Sequence, residues 1–178
     1  NLEYSLQSLS YKSNVISVAG AAVDRTYHAY HGVAVHYGGF NNYHNTVISI
    51  KKAYADSIGI QLTCEGSFAW LGNLSPIDVC AVFSNLLDNA LEGSKDAENP
   101  YIVIKENDHA HFYTLICSNN VPENIKIKNN SVKTSKKDKK HHGLGLSSIH
   151  SVIRKYNGSY TLKCKDMVFS VQAVFPKQ

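Results

Sequence analysis

Little in this chain advertises a specialised class. It has one methionine, one tryptophan, four prolines and four cysteines over 178 positions. So few prolines exclude a collagen-like or polyproline fibre. The cysteines, Cys64, Cys80, Cys117 and Cys164, form no C-x-x-C and have no histidine at metal-ligand spacing. They predict four reduced, mostly buried thiols rather than a zinc site or a disulfide scaffold. No run approaches the roughly 20 apolar residues of a spanning helix, and no basic leader with a small-residue cleavage site is present. Neither sign of charge dominates: 18 basic and 14 acidic residues leave +4, too little to name an anionic partner.

What is present is the composition of a folded domain, 43% hydrophobic and 10% aromatic. There is no internal repeat. Two composition shifts stand out, a Tyr, His and Gly mixture over the first forty or so residues and a Lys- and Asn-rich stretch from Asn119 to His142. Between and after them the periodicity is legible. Val47, Ile50, Tyr54 and Ile58 recur at three-and-four spacing behind Asn45 as a cap, and Gly59 stands where helices stop. Ile60, Leu62 and Cys64 alternate as a short strand, and the apolar run Phe68 to Leu71 reads as a second strand. A second helix starts at Ser75-Pro76 with Asp78 three residues after the cap, and runs to about Glu92 with Cys80, Phe83, Leu87, Ala90 and Leu91 on one face.

Asn99-Pro100 breaks the chain, and Tyr101 to Glu106 and His111 to Ser118 read as a hairpin. Leu146, Ile149, Ile153 and Tyr156 mark a third helix ending at Asn157-Gly158. Two strands close the chain, Tyr160 to Cys164 and Phe169 to Phe175, with a turn at Lys165-Asp166. Strands grouped beside helices predict an α/β two-layer sandwich with all helices on one face of the sheet.

Two features carry chemistry. Asn85 and Asn89, four apart in the second helix, project from one face while Leu87 and Ala90 hold the other in the core. Their amide oxygens are hard neutral ligands suited to Mg²⁺ shared with phosphates, though a solvent-facing pair would look the same. Gly143 and Gly145, in His142-Gly143-Leu144-Gly145-Leu146, open the third helix, where free N–H groups and the dipole suit an anion. Lys133, Lys136, Lys137, Lys139 and Lys140 precede them, as positive charge beside a polyphosphate or as a solvated loop.

Taken together and in this order, residues 45 to 178 resemble the ATP-binding catalytic domain of sensor histidine kinases, in the superfamily that includes gyrase and the mismatch-repair ATPase. They look most like the peptide-sensing kinases of Gram-positive bacteria. Val82 through Glu92 matches that family's N box, and Thr134 to Asp138 followed by Gly143 to Leu146 matches its second glycine box. The resemblance implies a mixed β-sheet with three helices on one face, and ATP and Mg²⁺ as ligands. It assigns Asn89 and Asn85 to the metal, Gly143, Leu144, Gly145 and Leu146 to the phosphate turn, and His142 and Lys136 to the lid. Asn119 aligns with the aspartate that accepts a hydrogen bond from the adenine amino group. The first glycine box departs from the pattern, reading Asn119-Asn120-Val121-Pro122-Glu123 without its glycines.

The implied activity is that of a protein histidine kinase. It transfers the γ-phosphoryl of Mg-ATP to a histidine for relay to a response-regulator aspartate in two-component signalling. An amide at Asn85, where hydrolysing relatives carry a glutamate base, favours phosphotransfer over hydrolysis. The phosphoacceptor is expected upstream of Asn1, because two helices of about 20 residues each must precede the ATP domain. Residues 1–44, with His28, His31, His36 and His44, read as a linker or a remnant of the dimerisation hairpin. The expected partners are a second copy, through the upstream hairpin, and a response regulator, with no nucleic acid, since aromatics are not interleaved with the lysines. The expected setting is the cytoplasmic portion of a membrane-anchored sensor. The alternative is a catalytically silent nucleotide-binding module of the same fold.

Overall fold

The computed structural model describes residues 43–132 and 144–177. Lys136, His142 and Gly143 lie outside the described residues, as do His28, His31 and His36. Helix α1 spans Tyr43–Ser57, strand β1 Gln61–Glu65, a 3-10 turn Ala69–Asn73 and helix α2 Pro76–Ser94. Strands β2 and β3 are Tyr101–Asp108 and Phe112–Asn120, followed by the short pair β4 (Ile127–Lys128) and β5 (Ser131–Val132). Helix α3 is Leu144–Lys155, and β6 and β7 are Ser159–Lys165 and Val168–Pro176.

The main sheet has the order β1-β2-β3-β7-β6, with β1 and β2 parallel and every other pair antiparallel. Strand alternation sorts its faces. Leu115, Cys117 and Asn119 of β3 and Phe169, Val171, Ala173 and Phe175 of β7 are buried, while Ser118, Ser170 and Gln172 on the intervening positions are only partly covered. Helices α1, α2 and α3 pack on the buried side, with α2 in the middle between the other two. This is the expected two-layer sandwich with a mixed sheet.

Helix α2 shows why the sequence folds as it does. Ser75 caps it by accepting from the Asp78 N–H at 3.3 Å, Pro76 occupies the first turn, and Val79, Val82, Phe83, Leu86, Leu87, Ala90 and Leu91 are each 5% exposed or less. Fully burying each larger side chain of that face contributes about 1.5–3 kcal/mol, so packing rather than propensity holds the helix. It runs to Ser94, two residues past the expected end.

Helix α1 departs from expectation. It begins at Tyr43, so Asn45 lies inside it and does not cap it. Its buried residues are His44, Val47, Ile48 and Ala55, whereas Ile50, Tyr54 and Ile58 are 42%, 55% and 42% exposed. The apolar residues make two overlapping stripes, and the one containing the small Ala55 packs on α2 and β1. The second apolar run is also not a strand. Phe68 takes a left-handed conformation (φ 51°), its N–H donates to the Glu106 carboxylate, and the chain turns into the 3-10 segment. That turn buries Trp70 against Tyr113 and Phe175, with ring centroids 5.2 and 4.8 Å away, as expected of a core tryptophan.

Of the four thiols, all free, Cys80 and Cys117 are buried, Cys164 is half-buried and Cys64 is exposed. Burial pushes Cys80 up to about 11 and Cys117 up to about 12, which makes both poor nucleophiles.

Candidate functional site

Asn85, Asn89 and Gly93 recur every four residues and so form one stripe along α2, about 12 Å long. The stripe is met by two other elements. At its N-terminal end the first turn of α3 approaches so closely that a Cβ added at Gly145 would lie 3.2 Å from both amide atoms of Asn89 and 3.5 Å from Asn85 Oδ1. At the other end β3 delivers Asn119, and a Cβ added at Gly93 would lie 2.9 Å from its Nδ2. The structure therefore brings together Asn85, Asn89, Gly145 and Asn119 from three elements that are separate in sequence.

Each amide has its own environment. Asn85 is buried, and its Nδ2 donates to the Ala81 carbonyl at 2.7 Å, so its oxygen is the pole turned towards Gly145. Asn89 is half-buried, and its Nδ2 has no partner among the described residues. Asn119 is 2% exposed, and its Nδ2 donates to the Asn120 carbonyl at 2.9 Å. A carboxylate there would face that carbonyl with no proton to offer, so the amide is the group that the local backbone favours. Asp88, beside Asn89, faces the other way and pairs with Lys51 of α1 at 2.6 Å.

An unpartnered buried amide nitrogen, hard neutral oxygens and a glycine in the first turn of a helix suit an anionic ligand carrying a hard divalent cation. Among the described residues there is no cluster of three His, Cys, Asp or Glu that could hold a metal ion.

The GHKL domain family model matches residues 74–176, from the residue before the α2 cap to the end of β7. The chain belongs to the GHKL domain family. Among solved structures, the catalytic domain of histidine kinase ThkA superposes with a TM-score of 0.59 at 19% identity, covering 79% of this chain and 94% of that one. The mycobacterial sensor histidine kinase MprB gives 0.54 at 14%, covering 76% and 93%. Histidine kinase AdeS of Acinetobacter baumannii gives 0.54 at 14%, covering 98% and 76%. At such identities the likeness is one of fold, the histidine kinase ATPase sandwich. No curated protein matches.

Two parts of this GHKL domain escape sequence reasoning. Gly93 falls one residue past the expected helix end at about Glu92, yet it lies within the last turn of α2 and Asn119 packs on it. The signal that could have found it is its place four residues after Asn89, on the same helix face. His44 reads as a linker residue but is 3% exposed, between Phe68 and Phe83 at 5.6 and 5.9 Å. A ring enclosed in this way cannot accept a phosphoryl group without leaving the core.

Proposed function

We propose that this GHKL domain is the ATP-binding module of a sensor histidine kinase and transfers the γ-phosphoryl of Mg-ATP to a histidine on an upstream hairpin, for relay to an aspartate of a response regulator. The observation that carries this reading is the double closure of the α2 stripe, with Gly145 on Asn89 and Asn85 at one end and Asn119 on Gly93 at the other. The oxygens of Asn89 and Asn85 hold the metal, and Asn119 Oδ1 accepts from the exocyclic amine of adenine. The α3 start at Leu144, Gly145 and Leu146 presents N–H groups to the phosphates, with Gly143, Lys136 and His142 contributed by the preceding part of the sequence.

Bound Mg²⁺ supplies neutralisation of charge on the phosphate oxygens. The chain's own residues position and screen. Asn85 cannot take a proton from water, which protects the γ-phosphoryl from hydrolysis and reserves it for a protein acceptor. The part of segment 1–44 that precedes α1 is read as a linker or hairpin remnant, Tyr43 and His44 belonging to the domain, and the phosphoacceptor and the dimer contacts are assigned to the hairpin. In this reading the domain is the cytoplasmic part of a membrane-anchored, homodimeric sensor. The resemblance to peptide-sensing kinases supports that reading, and no helix among the described residues is long and apolar enough to cross a membrane.

Titrating Mg-ATP calorimetrically into the protein and into Asn89→Ala tests the site. Binding is expected to vanish in the variant, and unchanged affinity overturns the assignment. Radiolabelled ATP, supplied with a hairpin carrying an intact phosphoacceptor, should give acid-labile phosphohistidine. Tight ATP binding with no labelled histidine selects the silent-module alternative, which the glycine-free adenine box favours.

A further inference from the structure

Beside the apolar seam that joins them, helices α2 and α3 meet at two further places. One is the contact of Gly145 with Asn89 and Asn85. The other lies at the opposite ends of both helices, where three donors converge on one oxygen. Ser75 Oγ donates to Asp78 Oδ2 at 2.6 Å, Lys155 Nζ at 2.6 Å and Tyr156 Oη at 2.7 Å. The Tyr156 hydroxyl also accepts from the Ser75 N–H at 2.9 Å. Asp78 is 7% exposed. Burial alone would raise its carboxyl, but the hydrogen bonds from Lys155, Ser75 and Tyr156 outweigh it and leave the group below its ordinary value.

The spans match. Asp78 to Asn89 covers about 16 Å of α2 and Gly145 to Lys155 about 15 Å of α3, so two antiparallel helices fastened at one end meet in register at the other. The apolar seam between them, with Ile149, Val152 and Ile153 at 0%, 8% and 0% exposure, supplies adhesion, but such packing is weakly directional along the helix axis. The hydrogen bonds on Asp78 are directional and charge-assisted.

We propose that Asp78 is a positioning residue, part of a clamp with Ser75, Lys155 and Tyr156 that fixes the axial register of α3 on α2 and so seats Gly145 on Asn89 at the phosphate end. The consequence for ligands rests on the nucleotide reading above, whereas the register itself does not. Loss of the clamp lets α3 slide on its apolar seam. The phosphate end then loses its geometry while the Asn119 end, built on β3, keeps its own.

Two measurements test this, with Val152→Ala as a control that weakens α3 packing without removing any hydrogen bond of the clamp. In the ligand-free protein, amide hydrogen exchange at Ser148 and Ile149, whose N–H groups bond back to the first turn of α3, should speed up in Asp78→Asn and Lys155→Met, more than in Val152→Ala at matched global stability. Lys155→Arg should restore protection. With ligands, Asp78→Asn should weaken Mg-ATP by about fivefold or more while adenosine is unchanged. Exchange that tracks only global stability overturns the clamp, as does an equal loss of Mg-ATP and adenosine. If the wild-type domain binds no Mg-ATP, the nucleotide reading fails and the exchange experiment still decides the clamp.

Discussion

The two ends of the α2 stripe are built on opposite plans. At the Gly145 end two helices meet, and the Asn89 Nδ2 is left buried without a partner among the described residues. At the Gly93 end a helix meets a strand, and the Asn119 Nδ2 is already satisfied by the Asn120 carbonyl. Asn120 in turn accepts from the Tyr101 N–H at 2.9 Å and donates to the Glu98 and Asn99 carbonyls at 2.9 and 3.2 Å, tying the α2–β2 loop to the end of β3. One end leaves a buried amide nitrogen without a partner among the described residues, and at the other the amide nitrogen is bonded within the protein. Preorganisation lowers the ordering cost of binding, so under the proposed nucleotide reading the Asn119 end should act as a fixed anchor while the Gly145 end carries the response.

Filling either glycine breaks the comparison in a different place. Gly145→Ala puts a methyl 3.2 Å from both Asn89 amide atoms, so Mg-ATP should weaken by about tenfold and adenosine not at all. Equal losses in calorimetric titrations of the two ligands would show that the ends are not separable. Gly93→Ala puts its methyl 2.9 Å from Asn119 Nδ2 and must move a buried, hydrogen-bonded amide. Here adenosine and Mg-ATP should weaken together by about fivefold, corresponding to roughly one hydrogen bond. A loss confined to Mg-ATP would place Gly93 at the wrong end.

How much of this was legible beforehand follows from the range of the forces involved. Local rules sufficed for α2, where Ser75, Pro76 and the apolar face all agree, and for the β2–β3 and β6–β7 hairpins. They failed on α1, because two apolar stripes satisfy the same three-and-four spacing and only α2 and β1 choose between them. They failed at Phe68, where Glu106, 38 residues away, holds the N–H that starts the 3-10 turn. Within the site, Asn85, Asn89 and Gly145 were readable as motifs and Asn119 by alignment with a family position. The approach of Asn119 to Gly93 was not, since it is set by β3 register against α2.

A gentler perturbation acts on the preorganised end alone. Asn120→Ala removes the ties to Tyr101, Glu98 and Asn99 but leaves the carbonyl that holds Asn119. Global stability should fall by about 1 kcal/mol in urea unfolding, with adenosine and Mg-ATP weakened by no more than about twofold. An adenosine loss as large as that of Gly93→Ala would mean that the anchor resides in the loop rather than in Asn119.

The smallest effect belongs to neither end and serves as the reference for both. His44 packs between Phe68 and Phe83, its Nδ1 has no partner among the described residues, and desolvation lowers it from the ordinary 6.5. The folded state therefore binds a proton less readily than the unfolded one. Its stabilising contribution is complete above 6.5 and is lost as the pH falls below that value, where the unfolded chain takes up a proton that the folded core excludes. His44→Phe removes that proton linkage. Urea midpoints of the two proteins should diverge steadily between about pH 7.5 and 5.5, the variant losing less. Mg-ATP and adenosine affinities near neutrality should match in the two proteins, because His44 touches neither Gly145 nor Asn119. Parallel pH profiles for stability would mean that the ring is open to protons in the folded state. A selective change in one ligand would show that α1 packing reaches the stripe through Phe83, and the two ends could then no longer be treated as independent of the core beneath them.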